Sequence, residues 1–409
     1  YVENARWSAI TAAKQAPDAK FLLFTGDFVE TGTEQNSEWE WEQWFEVSMK
    51  PLLSRMALAP TDGNHDDTPN LNYTYHFNTD KAFNETATVK PQFDGITYSF
   101  VYGDALFMVY SHQDFWRGSY SYANGTSTYL SNDVANWFRD QVEKYPDTKW
   151  RIAAVHKNLF TGSGHQTDED GALFRATLLP VFQELNIDFV IQGHDHIYEV
   201  MGPINNTTKT IVPGSVTNVE LVSPDSNKNP KGQQGGTFNV KDGTLYFVNG
   251  TCGRKRYYPY TQDEMEAGFD KHKVEGYWDL FTGKYGQPGA PAFSEISVSS
   301  SEIEVKTYTS DANAQATLFD TFKIVKNGNT GIEENKQSAK LYPSYAKDKI
   351  NTTESDIIRV NAIDLTGKIY PLPFDNQHID VSNLTDGIYV VQIFTNEKTR
   401  SERIVKTSR

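Results

Sequence analysis

Cysteine is almost absent. Cys252 stands alone among 409 residues, so no disulfide can form within the chain, and no cluster of thiolates can hold a structural metal. With a single thiol the count says nothing about the redox compartment. Long apolar runs are missing as well: no stretch reaches the ~20 residues that cross a bilayer as a helix, and no transmembrane segment is expected. Positive charge is scarce, with 38 Lys and Arg against 53 Asp and Glu, a formal net charge of −15. Such a surface repels nucleic acid at long range, and no nucleic-acid partner is expected. A substrate carrying phosphate would need local cations to overcome the same field, which bound metals supply.

What the chain does contain is the material of a packed protein. Hydrophobic residues make up 38% and aromatic residues 13%, enough for real cores, and the length suits two or three domains of ~100–200 residues. Four short segments carry the chemistry: G-D-F-V-E-T-G at Gly26–Gly32, G-N-H-D at Gly63–Asp66, V-H at Val155-His156 and G-H-D-H at Gly193–His196. Together they offer carboxylates, an amide and four imidazoles, a mixture of oxygen and nitrogen donors that suits divalent first-row metals.

Their placement matters as much as their content. Ala5, Ala9, Ala12 and Ala13 recur at helical spacing over Glu3–Ala16, and Pro17-Asp18 ends that helix. Lys20–Thr25 is a short apolar run, as in a buried strand. Ser37 caps a helix holding Trp41, Trp44, Phe45 and Met49, which Pro51 kinks or ends. Ile96–Val101 and Leu106–Tyr110 form a hairpin across Tyr102-Gly103-Asp104. A helix capped at Asn132 or Asp133 runs through Tyr145, then come the strand Ile152–Val155, the helix Ala172–Leu185 and the strand Asp188–Gln192. Strands alternating with helices imply an α/β core. Asp27, His156, His194 and His196 all lie just past the carboxyl end of such a strand, where open α/β sheets collect ligands. Pro203–Gly243 reads as long loops and Thr244–Asn249 as a strand. Phe293–Val298, Glu302–Tyr308 and Thr321–Val325 alternate like exposed strands. Lys326–Lys340 reads as a linker, and β-type segments dominate from Leu341 onward.

Asp27 is the candidate bridging carboxylate, with Gly32 allowing a tight backbone close to it. Asp27, Asn64, His156 and His194 make one metal site, and His196 reaches a second metal with Asp27. Two such ions lower the pKa of a bound water and offset charge on a phosphoryl group. His65 is placed to assist the leaving group, with Asp66 holding its other nitrogen. His165 adds a donor to the substrate phosphate. Taken singly, each motif has a plainer reading: a Gly-Asp turn, an Asn in a loop, a hydrogen-bonded histidine. The joint order carries the weight. His112 reads as supporting or structural, Arg254-Lys255-Arg256 as a solvated run, the Trp39–Trp44 cluster as helix packing, and Asp195 and Glu30 as solvent-facing or supporting.

This order of motifs resembles the calcineurin-like metallophosphoesterase superfamily, and V-H-K-N-L-F-T-G-S-G-H followed by G-H-D-H-I-Y-E looks closest to its purple acid phosphatase branch. The resemblance covers about Tyr1 to Lys326. It implies a four-layer α/β/β/α sandwich, a pair of divalent or trivalent ions (Fe, Mn or Zn), a phosphate-ester substrate, contact of His165 with that substrate, and a tyrosine after the last motif at the place of Tyr198. It also implies an aspartate motif on a first strand ahead of Glu3–Ala16. Where the branch has a tyrosine three residues after the bridging aspartate, Glu30 stands, which points to a non-purple metal pair.

Leu341–Ile350, Asp364–Lys368, Val381–Ile393 and Arg403–Lys406 resemble a type IX secretion sorting domain. That resemblance implies the type IX machinery as a partner, a signal peptide, and a secreted or surface-attached protein of a Gram-negative bacterium. The domains are then 1–326 catalytic, 327–340 linker and 341–409 sorting. The expected function is phosphomonoester hydrolysis through a metal-bound hydroxide. A phosphodiesterase on nucleotides or lipid head groups is the alternative enzyme, and an impaired surface binding protein is the alternative class.

Overall fold

The computed structural model describes residues 2–32, 34, 36–66, 72–77, 96–112, 134–166, 168–206, 219–221, 235–267, 277–326, 345–352, 356–364, 366, 368–375, 377–395 and 399–408. The expected caps Asn132 and Asp133, the linker 327–340 and the start of the C-terminal segment lie outside these residues. The chain divides into two compact units, Tyr1–Asn327 and Gly328–Arg409.

The first unit opens with the helix Val2–Gln15, then strand β1 (Phe21–Phe24), and β2 (Ala57–Pro60) pairs with β1 in parallel. The strands β3 (Tyr98–Tyr102), β4 (Ala105–Val109), β5 (Trp150–Val155), β6 (Phe189–Gln192), β7 (Tyr198–Asn206), β8 (Val219–Leu221), β9 (Thr237–Asn239), β10 (Thr244–Asn249) and β11 (Tyr285–Gly286) follow. An eight-stranded sheet runs β11-β7-β10-β6-β5-β4-β3, with β8 beside β7. At its centre β4, β5, β6 and β10 are parallel. Their residues are almost continuously apolar because helices cover one face and a second sheet the other.

That second sheet joins β12 (Ala292–Val298), β13 (Glu302–Ser310) and β14 (Ala316–Val325) with β9 in the order β12-β13-β14-β9. The expected exposed strands are therefore half-buried. Ile303, Val305, Phe322 and Ile324 pack against Phe189, Ile191, Val200 and Phe247 of the large sheet. On the far side of the large sheet, Trp137 and Phe138 of the helix Ala135–Lys144 and Phe174, Leu178 and Phe182 of the helix Glu169–Glu184 close a second core. The helix Val2–Gln15 buries its small residues Ser8, Ala9 and Thr11, and the Thr11 hydroxyl meets that of Ser310 at 2.6 Å. The result is a metallophosphoesterase sandwich of mixed α/β content, helix, sheet, sheet, helix.

Three local differences from expectation have physical causes. The helix after Ser37 is broken: Glu38–Gln43 passes into a π-helical stretch, Trp44–Ser48, and restarts at Lys50–Leu53 with Pro51 in its first turn, where a missing N–H costs nothing. Ser37 makes no side-chain cap; its hydroxyl donates to the Glu34 carbonyl. Pro203 lies within β7, not in a loop, and the register shift between Thr244 and Tyr246 on the paired strand accommodates it.

The second unit holds a five-stranded sheet, which includes Ile357–Asp364, Gly387–Thr395 and Thr399–Lys406, and a two-stranded one. It has its own core, with Val360, Ala362, Val391, Ile393 and Ile404 at its centre.

Candidate metal centre

Parallel pairing brings the ends of β1 and β2, and of β5, β6 and β10, out at common rims. The chain turns sharply there. Asp27 (φ 53°) and His194 (φ 63°) both adopt left-handed backbone, a conformation that costs a non-glycine residue ~1–3 kcal/mol and collects at functional positions. Two glycines permit the approach. A Cβ at Gly26 (φ 88°) would sit 2.6 Å from His156 Nδ1, and one at Gly63 would collide with the backbone and carboxylate of Asp27.

Four donor atoms meet. His156 Nε2 lies 3.1 Å from Asn64 Oδ1, 3.2 Å from Asp27 Oδ1 and 3.2 Å from His194 Nδ1. On its other side, His156 Nδ1 donates to the Thr25 carbonyl at 2.6 Å, which orients the ring and leaves Nε2 facing the cluster. Donor atoms of Asp27, His156 and His194 all fall within 4.8 Å of one another. His194 Nε2 is buried with no hydrogen-bond partner among the described residues. A set of buried lone pairs aimed at one point repels itself unless a positive charge sits among them. Without metal a proton takes that place: burial pulls His156 down, but the charge and hydrogen bond of Asp27 overrule it and raise it. Burial pushes the Asp27 carboxyl up, yet His156 and His65 hold it well below the usual carboxylate range. The donor set therefore fits a divalent cation.

His196 lies beside this cluster but is not part of the 4.8 Å group. Its Nδ1 donates to the Lys255 carbonyl at 3.0 Å, its ring stacks on Tyr257 at 4.5 Å, and burial pulls its pKa down to about 4. It is a neutral ring with Nε2 open. A cavity of about 990 Å³ reaches the same point, with Ala9, Phe21, Phe24, Trp44, Phe293 and Ile296 among its walls. It lies along β1 and β12, each of which pairs on one side only among the described residues.

The expectation that Asp66 holds His65 is wrong. Asp66 is fully buried, and backbone amides take both its oxygens: Phe28 at 2.8 Å and Val29 at 3.3 Å on Oδ1, Gly63 at 2.7 Å on Oδ2. Asp66 fastens the two motif turns together. His65 Nδ1 donates instead to the Glu30 carbonyl at 2.7 Å, and its amide donates to Asp27 Oδ1 at 3.1 Å. Gly32 gives close approach to the carbonyls of His65 and Asp66. Tyr198 is buried in β7 and donates to Asp320 at 2.8 Å. Asp195 is fully buried and accepts from Thr161, so it does not face solvent. His112 is buried with its ring 5.3 Å from His156, and burial lowers its pKa well below normal.

His165 stacks over His194 at 3.8 Å. The sequence reading missed its partner, Asp168, three residues on, whose Oδ2 lies 2.7 Å from His165 Nδ1; the spacing was the available signal. Burial lowers His165, but the Asp168 hydrogen bond and nearby carboxylates raise it on balance. A raised histidine favours its cation: the stabilisation is complete below the unfolded value of ~6.5 and is lost as pH rises through the folded value. Asp168→Asn is therefore expected to move the His165 titration midpoint, followed by proton NMR of the ring, to lower pH.

These features define a metallophosphoesterase. Residues 4–198 match the family model of the calcineurin-like phosphoesterases, and residues 340–407 match that of the secretion system C-terminal sorting domain. The chain carries both domains. An uncharacterized protein of Mycobacterium tuberculosis is 26% identical over 217 residues, which cover 50% of this chain and 40% of that protein. Purple acid phosphatase 5 of Arabidopsis thaliana is 26% identical over 176 residues, 42% of this chain and 34% of the plant protein. The chain thus spans two fifths or less of the length of these curated relatives. In structure it is similar to a purple acid phosphatase from yellow lupin (Lupinus luteus) seeds, with a TM-score of 0.51 at 14% identity, covering 80% of this chain and 49% of the lupin chain. No helix among the described residues is long and apolar enough to cross a membrane.

Proposed function

We propose that this protein is an exported phosphatase that hydrolyses phosphomonoesters at a pair of bound cations. The observation that carries the reading is the meeting of Asp27, Asn64 and His194 donors around His156 Nε2. When bound, the cations would acidify a water and offset the charge of the phosphoryl oxygens. The chain's own residues do the rest. Asp27, Asn64, His156 and His194 hold the first ion; Asp27 and His196 belong to the second. The cavity along β1 and β12 has room for an extended segment that brings a further carboxylate. His165, kept cationic by Asp168, binds phosphoryl oxygens. His65, fixed through Nδ1 by the Glu30 carbonyl, turns Nε2 to the leaving group. Glu30 offers no phenolate, which favours Mn, Zn or Fe without the purple colour.

Loaded with each of these metals, the chain is expected to hydrolyse p-nitrophenyl phosphate faster than the bis-ester. The reverse order would make it a phosphodiesterase, and no turnover of either would make it a binding protein. The sorting domain supports export by the type IX machinery and a secreted or surface-attached location. Residues 1–326 are then catalytic and 341–409 a delivery module. A chain ending at Asn327 is expected to keep turnover within about twofold, because each unit has its own core, while losing export. Activity lost in the purified truncation would contradict that division.

A further inference from the structure

We propose that Lys255 selects substrates with a second phosphoryl group on the departing side, so that the substrate class is organic bisphosphates more than simple monoesters. This rests on the phosphoesterase reading above. The segment after β10 is tied directly to the last histidine motif. The Lys255 carbonyl accepts from His196 at 3.0 Å, the Tyr257 amide donates to the His196 carbonyl at 3.4 Å, and Gln287 Nε2 donates to the carbonyls of both His196 and Tyr257, at 2.7 and 3.0 Å. The basic run is therefore a fixed wall of the centre, not a free surface stretch.

The side chain of Lys255 is exposed, and its ammonium lies 5.5 Å from the Tyr257 ring centroid. It lines the same cavity as Asp27, His65 and His194. Arg256 is turned away, with Nη1 donating to the Arg254 carbonyl at 2.8 Å. Burial lowers the Lys255 ammonium, but the Tyr257 hydroxyl and the charges of Glu30 and Asp27 raise it on balance. Glu30 also anchors His65 through its carbonyl. Lys255 thus stands where His65 stands, on the side assigned to the leaving group. The scissile phosphoryl group already has the cations and His165. A second anion near a chain of net charge −15 would be repelled unless a fixed cation met it. A flexible ammonium at an exposed rim serves that purpose without demanding one geometry.

The test compares a sugar bisphosphate with its monophosphate. For wild type, kcat/KM should favour the bisphosphate, and less so at high salt, because the contact is exposed. Lys255→Ala should lower that preference at least about tenfold, chiefly through KM, and Lys255→Arg should restore most of it. Equal weakening of both substrates would overturn the proposal, since Lys255 would then grip the scissile phosphate or merely support Tyr257. An unchanged preference would leave it a solvated lysine and overturn the proposal as well. If wild type turned over neither compound, the phosphoesterase reading would fall. Calorimetry of the two compounds on the zinc-loaded protein would still decide Lys255 by whether the bisphosphate preference exists and vanishes in Lys255→Ala.

Discussion

Alanine at His194 is expected to lose bound metal and turnover together. The ring supplies one of the donors around His156 Nε2, and its second nitrogen has no partner among the described residues. Changes even to groups that only support a metal ligand cost ~10–100-fold in affinity or activity, so loss of the ligand itself should exceed ~100-fold in both. The backbone makes a control necessary. His194 sits at φ 63°, and alanine tolerates that region less well than histidine. Some stability could be lost without any change in metal chemistry. Thermal unfolding with and without manganese separates the two effects. A ligand at about 100 times its Kd stabilises by ~2.7 kcal/mol, so metal should raise the melting temperature of wild type and leave that of the variant where chelator leaves it. His194→Gly, which relieves the backbone strain, should behave the same way. Elemental analysis showing the ion retained in either variant would remove His194 from the site.

Much of the fold was readable because it rests on local signals. Buried strands read as short apolar runs, and β5, β6 and β10 are such runs because both faces of the sheet are covered. Parallel strands deliver their carboxyl ends to one rim, so motifs after Phe24, Val155 and Gln192 converge without any knowledge of the loops between. What escaped the reading depends on tertiary approach. Asp66 accepts from Phe28 and Val29, thirty-eight and thirty-seven residues away in sequence, and no pattern within G-N-H-D discloses that. Its neighbour His65 looked like the natural partner only because the two are adjacent. Arg254-Lys255-Arg256 has the composition of a solvated run. Its role comes from a backbone carbonyl accepting from His196, and every residue type has that carbonyl. The half-burial of β12–β14 follows from the sheet they face, which their alternation alone does not identify.

His65→Ala should separate chemistry from metal binding. The His65 amide donates to Asp27 Oδ1 at 3.1 Å, and alanine keeps that bond, so the donor cluster should stay intact and the ion content unchanged. The ring contributes one further hydrogen bond, to an exposed carbonyl at Glu30, which water can replace at a cost of ~0.5–1.5 kcal/mol or less. The variant should therefore fold and load metal. What it lacks is the donor to the leaving oxygen. A general acid contributes typically ~10²–10⁴-fold, and the need for it grows with the basicity of the departing group. Alkyl phosphates should lose the full factor. p-Nitrophenyl phosphate, whose anion leaves readily, should lose much less. A plot of log kcat/KM against leaving-group pKa should accordingly steepen in the variant. An equal loss across the series would assign His65 to binding of the phosphoryl group instead, and an emptied metal site would make it a structural partner of Asp27. Asp66 cannot substitute in either case, because backbone amides already occupy both its oxygens.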